Sequence, residues 1–371
     1  MSNDSLATQA LHADNGLDGK SDIALPIHLS TTFRYVYNTD QDESLRGPAV
    51  CHSTAFPHQP CTNTRARILI SSWFGTFCYS RDRAPTRTRL ETVLSALIHG
   101  PTLTYASGLA AVHAYLVFLK PKRIAIGDGY YGSLQVANLH QQLTGWEALS
   151  IRRSADEAHK RGAYLIIDST LGPPGLQDPF ALGADIIMHS GTKYFGGHYD
   201  LLCGTLSIQP AREESWFKTL HEQRTILGSV LGSMEVWLGL RSLRTLELRV
   251  RRQRENATAL VLWLYECLKT EFDYVVKKIV AALRERIPHE FGPVFGTEMK
   301  TEEMSRRLSG LMRLFQHATN LGGVESQIEW RRLLDVSAKP TLLRVSIGVE
   351  YLEDLKRDLL QGFEVLRHEI G

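Results

Sequence analysis

Continuous apolar runs separated by helical patterns constrain this chain more than any other feature. The run Ala163-Tyr164-Leu165-Ile166-Ile167 is apolar, partly β-branched and ends in Asp168. Asp185 to His189 and Leu202 to Ile208 read as further buried strands, with shorter candidates at Thr102 to Tyr105 and Arg123 to Ile126. Between them, Leu90, Val93, Leu94 and Leu97 recur at helical spacing, and Gly100 follows as a C-terminal stop. Ser107-Gly108-Leu109-Ala110-Ala111 opens another helix, and more are expected at Leu134 to Leu143 and Asp156 to Arg161. Strands that are apolar on both faces belong to a parallel sheet covered by helices on both sides, so an α/β fold with a mainly parallel sheet follows. Beyond Arg224 the pattern changes to long helices, including Asn256 to Leu268 and Glu302 to His317, one late strand at Leu342 to Ile347, and a closing helix from Glu353. Leu355, Leu359, Leu360, Phe363 and Leu366 give that last helix one apolar face, and this half reads as a smaller α+β domain.

Charge and composition exclude several classes. Lysine and arginine number 42 against 40 acidic residues, without the concentrated positive field that nucleic acid requires. No apolar run approaches the roughly 18 residues of a membrane helix. Met1 to Asp14 carries Asp4, His12 and Asp14 where a signal peptide has a basic and then an apolar region, so a cytoplasmic protein with a small-molecule partner is expected. The 371 residues suit one large domain or two to three of about 150. Five cysteines are an odd number for a disulfide framework.

The chemistry concentrates in His189-Ser190-Gly191-Thr192-Lys193-Tyr194-Phe195-Gly196-Gly197-His198-Tyr199-Asp200. A solvated loop lysine is the plain alternative, and a P-loop is excluded because the first glycine of that motif is missing. A lysine just past a buried strand, flanked by hydroxyls, fits Schiff-base formation with an aldehyde cofactor, because desolvation frees the amine for attack. Pyridoxal phosphate is the cofactor this suggests. It needs an acid for its ring nitrogen, which Asp168 at a strand end supplies. It also needs donors for its phosphate, which the helix opening at Ser107-Gly108-Leu109 supplies. Asp168 as a turn cap, Arg344 as a surface cation and Tyr130 or Tyr131 as ordinary half-buried aromatics are the competing readings.

Ser190-x-Thr192-Lys193-Tyr194 with Gly197-His198-x-Asp200, Tyr79-Ser80-Arg81 before Pro85-Thr86, Ser107-Gly108-x-Ala110-Ala111, Asp168-Ser169-Thr170, Leu321-Gly322-Gly323-Val324-Glu325-Ser326 and Arg344-Val345-Ser346-Ile347-Gly348 occur in one order along the chain. In that order the chain resembles the Cys/Met-metabolism family of pyridoxal-phosphate enzymes, which includes cystathionine γ-synthase, β-lyase and γ-lyase. The resemblance implies the aminotransferase-like type I fold and a carbon-sulfur lyase or transferase of trans-sulfuration, working by β- or γ-elimination or replacement. It implies Lys193 as the Schiff-base lysine and proton shuttle, Asp168 on the pyridinium nitrogen, and Ser190, Thr192, Gly108 and Leu109 on the phosphate. Tyr130, or Tyr131 by a one-residue shift, stacks on the ring, and Arg344 takes the substrate α-carboxylate with Asn320 beside it. Tyr79 and Arg81 reach the phosphate of a neighbouring subunit, which implies a homo-oligomer, a tetramer built from dimers.

The domains then read as an N-terminal arm (1–46), an atypical insertion (47–78), a cofactor-binding domain (79–224) and a C-terminal domain (225–371). The insertion holds Cys51, His52, His58 and Cys61, whose spacing matches no usual zinc pattern, so no metal is expected. Between Ser133 and Asp168 the family has a further strand and crossover, and a parallel crossover of about a dozen residues or more does not fit the stretch present here. Ala84, Ser242 and Asn320 replace the family's asparagine, glycine and serine. Asn320 is expected to alter specificity, and the other two to be silent. The alternative to an active enzyme is a catalytically impaired homologue, serving as an oligomeric binding subunit or arising from a faulty gene model.

Overall fold

A computed structural model describes residues 4–15, 17, 26–33, 77, 79–127, 129–145, 147–149, 158–270, 276–280 and 292–370. The Cys51 to Cys61 cluster, and all of 47–78 except Phe77, lie outside the described residues. Helices α1 (Leu6–His12) and α2 (Pro85–Ile98) lead into β1 (Thr102–Tyr105), α3 (Gly108–Leu119), β2 (Arg123–Ala125), α4 (Tyr131–Thr144), β3 (Glu147–Leu149), β4 (Ile166–Asp168), β5 (Ile186–Ser190) and β6 (Gly204–Ile208). The strand order is β1-β6-β5-β4. β4 and β5 pair in parallel, whereas β6 is antiparallel to both β1 and β5. β1, β5 and β4 therefore run one way and β6 alone runs against them. Strands β2 and β3 form a separate two-stranded parallel ribbon, and among the described residues no strand pairs with the other edge of β4.

Both faces of the main sheet are covered, as continuous apolar strands require. On one face Leu103, Leu206, Ile208 and Ile186 pack with Val112 and Leu116 of α3 and Leu220 of α5 (Glu213–Leu227). On the other, Ile187 meets Leu90 and Leu94 of α2 and Leu240 and Leu243 of α6 (Ser233–Leu243). The stop of α2 differs from expectation. His99, not Gly100, takes the left-handed conformation at φ 60°. Of the helix expected at Asp156 to Arg161, only the end is described, a turn through Ala158 and His159 that closes at left-handed Gly162.

Helix α7 (Leu246–Thr270) serves two cores, with Leu246 and Val250 in the first and Ala257, Leu260 and Leu264 in the second. The second core holds more strand than the sequence suggests. β7 (Val276–Val280), β8 (Val294–Met299), β9 (Gln327–Trp330) and β10 (Leu342–Ser346) form an antiparallel sheet in the order β7-β8-β10-β9, covered by α8 (Glu302–Leu311) and α9 (Leu352–Ile370). Helix α8 ends about two turns before His317 for a tertiary reason. The carboxylate of Asp358 on α9, 4% exposed, accepts the N–H groups of Arg313, Leu314 and Phe315 at 2.8 to 3.2 Å. Those donors turn away from the helix to meet it. Asp358→Ala leaves all three without an acceptor and is expected to cost about 3 kcal/mol of stability. Denaturant melting checks this, and a loss under about 0.5 kcal/mol, the scale of a surface change, would show that the acceptor is dispensable.

Candidate active site

The lysine loop begins where β5 ends. Lys193 N–H bonds the Ser190 carbonyl at 3.1 Å and Gly197 N–H bonds the Lys193 carbonyl at 2.7 Å. Gly197 reverses the chain at φ 68°, a conformation that side chains resist. Arg249 holds the turn from behind, donating Nη1 to the Tyr194 carbonyl at 2.9 Å and Nη2 to the Ser242 carbonyl at 3.0 Å. Ser242 is not silent. Its hydroxyl donates to the Gly196 carbonyl and accepts from Arg249 at 3.0 Å, so it braces the loop in a way glycine cannot.

Lys193 reaches across to the C-terminal half. Its Nζ donates to Asn320 Oδ1 at 2.6 Å, and the Asn320 main-chain carbonyl accepts from Arg344 Nη2 at 3.1 Å. One residue thus joins the amine to the guanidinium. Burial lowers the Lys193 amine below the ordinary lysine range, Arg344 lowers it further, and Glu329 opposes both. His189, two residues before Gly191, is buried near the end of β5. Burial pushes it down to about 3, so it stays neutral, with its ring 4.9 Å from Phe195.

Asp168 is the last residue of β4, beside Met188 of β5. Its Oδ1 accepts the Thr170 N–H at 3.0 Å, and Thr170 Oγ1 in turn accepts the Ser190 N–H at 2.8 Å. The turn cap is therefore real, and it fastens Asp168 to the lysine loop. Asp168 is exposed and its second oxygen has no hydrogen bond among the described residues. Tyr115 on α3, which the sequence did not single out, lies close enough to feel that carboxylate. Burial chiefly, and Asp168 next, raise its phenol to about 12.

Ser107 caps α3, its Oγ accepting the Ala110 N–H at 3.1 Å. The N–H groups of Gly108 and Leu109 open the helix and have no intrahelical acceptor. A Cβ on Gly108 would meet Ser190 Oγ at 3.2 Å, so the serine hydroxyl converges on the helix N-terminus. Gly204 makes this approach possible, since a Cβ there would lie 2.0 Å from the Ser107 carbonyl oxygen and 2.9 Å from Gly108 N. Gly204→Ala is expected to push the helix start off the sheet and weaken phosphate-dependent cofactor retention on the order of tenfold, worth about 1.4 kcal/mol. Equilibrium dialysis measures it, and an unchanged dissociation constant would refute the role of that contact. Thr192 is only partly free. Its hydroxyl oxygen accepts the Cys203 N–H at 3.1 Å.

Residues 136–364 match the model of the Cys/Met metabolism PLP-dependent enzymes. The chain belongs to that family. A cystathionine beta-lyase of Lactococcus lactis subsp. cremoris is 29% identical over 337 residues, covering 77% of this chain and 88% of the relative. A cystathionine gamma-lyase of Dictyostelium discoideum is 28% identical over 417 aligned residues, covering 97% of each. Among solved structures, a methionine gamma lyase from Micromonospora echinospora superposes with a TM-score of 0.78 at 26% identity, covering 98% of this chain and all of that one.

The family is pyridoxal-phosphate-dependent, and the residues here fit that cofactor: a desolvated amine, a carboxylate with an open oxygen, and a helix N-terminus beside a serine hydroxyl. The two tyrosines separate clearly. Tyr131 accepts from Gln135 Nε2 at 2.7 Å on its own helix, whereas Tyr130, with Leu109, crowds the space beside Gly132, and Arg344, lowered chiefly by burial, is raised slightly by Tyr130. Tyr79 and Arg81 lie apart, both exposed, with the guanidinium 5.4 Å from the tyrosine ring centroid. Glu329, 2.7 Å from Arg344, also went unremarked in the sequence. A lone acid between Ile328 and Trp330 in an otherwise strand-like pattern was the available signal.

Proposed function

We propose that this chain is a carbon-sulfur lyase or transferase of trans-sulfuration that acts on cystathionine-type amino acids by β- or γ-elimination or replacement. The observation that carries the reading is the line from Lys193 through Asn320 to Arg344, which joins a desolvated amine to a cation suited to an α-carboxylate. When bound, pyridoxal phosphate supplies an electron sink for negative charge at the substrate Cα. Lys193 Nζ would hold the cofactor and, once free, would take the Cα proton and return it where the leaving group departs. Asp168 keeps a proton on the ring nitrogen with the oxygen that the Thr170 turn leaves open. Ser190, Thr192 and the N–H groups of Gly108 and Leu109 would bind the phosphate, Tyr130 would pack against the ring, and Arg344 with Asn320 would take the carboxylate.

Sulfur amino acids are favoured by relatives named cystathionine beta-lyase and cystathionine gamma-lyase. Incubating the loaded protein with cystathionine separates the cases, since β-elimination releases pyruvate and γ-elimination releases 2-oxobutyrate. Formation of cystathionine from an activated homoserine and cysteine identifies replacement. If none of these products forms, the reading fails.

The working enzyme is read as a cytoplasmic homotetramer, a dimer of dimers, in which Tyr79 and Arg81 reach a neighbour's phosphate. Their exposure and mutual stacking, with no bond to the Lys193 loop among the described residues, support it. No helix among the described residues is long and apolar enough to cross a membrane. Arg81→Ala is expected to weaken cofactor retention about tenfold, and mass in solution checks the assembly; a monomer that retains the cofactor tightly would contradict it. The reading that one strand and its crossover are lost between 133 and 163 is supported by the edge of β4, which has no partner among the described residues.

A further inference from the structure

Glu329 sits on β9 directly opposite Arg344 on β10 in the antiparallel register. Its side chain is 2% exposed, and its Oε2 lies 2.7 Å from Arg344 Nη2. A second arginine, Arg331, donates Nη1 to both carboxylate oxygens at 3.1 and 3.3 Å. A buried carboxylate demands a cation, but one would satisfy it. Here two guanidiniums share one acid, and the one facing Lys193 is held at a second point by the Asn320 carbonyl. Neighbouring Ile328 turns the other way into the core, so the strand's alternation aims Glu329 at Arg344.

We infer that Glu329 is the positioning residue for Arg344, and that it sets the enzyme's selection of substrates by their α-carboxylate. The inference rests on the reading of Arg344 as the carboxylate site. A guanidinium recognises a carboxylate through its plane, and fixing Nη2 between Glu329 and the Asn320 carbonyl fixes that plane. Without the acid, Arg344 faces Arg331 and Lys193, two like charges, and is driven from its place. A displacement of about 1 Å at such a point costs binding on the order of 10- to 100-fold.

The test uses the cofactor-loaded enzyme and two non-sulfur probes, an α-amino acid and the amine it yields on decarboxylation, titrated through the change each makes in the visible absorbance of the bound cofactor. Native protein is expected to prefer the acid. Glu329→Gln is expected to weaken the acid on the order of 10- to 100-fold, leave the amine within about twofold, and raise KM for substrate far more than it lowers kcat. Glu329→Asp keeps the charge on a shorter stem and is expected to fall between. Equal losses for both probes, or undiminished preference in Glu329→Gln, overturns the inference. Should Glu329→Gln fail to fold, the aspartate variant decides, and a native preference there overturns it. If Arg344→Ala leaves the preference intact, the assignment of Arg344 itself is wrong, which the Glu329 variants alone would not reveal.

Discussion

Lys193→Ala is expected to lower turnover at least about 10³-fold and to abolish the visible absorbance of covalently held cofactor. The size follows from the two roles proposed for one atom, with Nζ anchoring the cofactor and carrying the substrate proton. No described neighbour substitutes for it: Asn320 offers an amide, Arg344 a guanidinium, and His189 is buried and neutral. The same surroundings set a pH dependence. Burial first, then Arg344, lower the Lys193 amine from its usual 10.5, and Glu329 partly restores it. A lysine with a lowered pKa is neutral at a lower pH than an ordinary one. Cofactor capture should therefore rise with pH and level off before a free lysine would. Arg344→Ala removes a lowering charge, so its capture profile should move to higher pH. A profile that stays put or moves lower would contradict the electrostatic account. Stability follows the same sign: below the lowered pKa the folded lysine is protonated at a desolvation cost, and that cost disappears as pH rises toward 10.5.

Asp168→Asn is expected to reduce turnover on the order of 10²- to 10³-fold while changing stability by less than about 0.5 kcal/mol. The substitution is informative because it separates the turn that Asp168 makes from the role proposed for it. As a turn cap it accepts the Thr170 N–H, which an asparagine oxygen does equally well. In its proposed role as partner of the ring nitrogen it must be anionic, and asparagine cannot be. Steady-state rates with the cofactor in excess, set beside denaturant melts, separate the two. Near-native turnover would reduce Asp168 to its turn. A large loss of stability would point to fold rather than chemistry.

What the sequence revealed follows from where local patterns govern. β4 and β5 were legible because Leu165-Ile166-Ile167 and Ile186-Ile187 are continuous apolar runs, although only the β5 run is fully buried and the β4 run, at the edge of the described sheet, is half-buried. The C-terminal sheet was mostly hidden. β8 carries Gly296, Thr297 and Glu298, and Glu298 is tolerated in burial because Lys339 lies 2.9 Å away, a partner about forty residues further on. The overlong reading of α8 has the same origin, since Asp358 takes its last donors from α9. In the site, Lys193, Asp168 and the start of α3 were legible because strand end, loop and helix cap are local features. Glu329 was not, because its meaning depends on a strand pairing with Arg344.

The most direct measurement reduces the cofactor-loaded protein with borohydride, digests it and locates the pyridoxyl mass by peptide sequencing. A single adduct on the Ser190-Gly191-Thr192-Lys193 peptide, at Lys193, is the result predicted. An adduct on any other lysine, or none, would contradict the account.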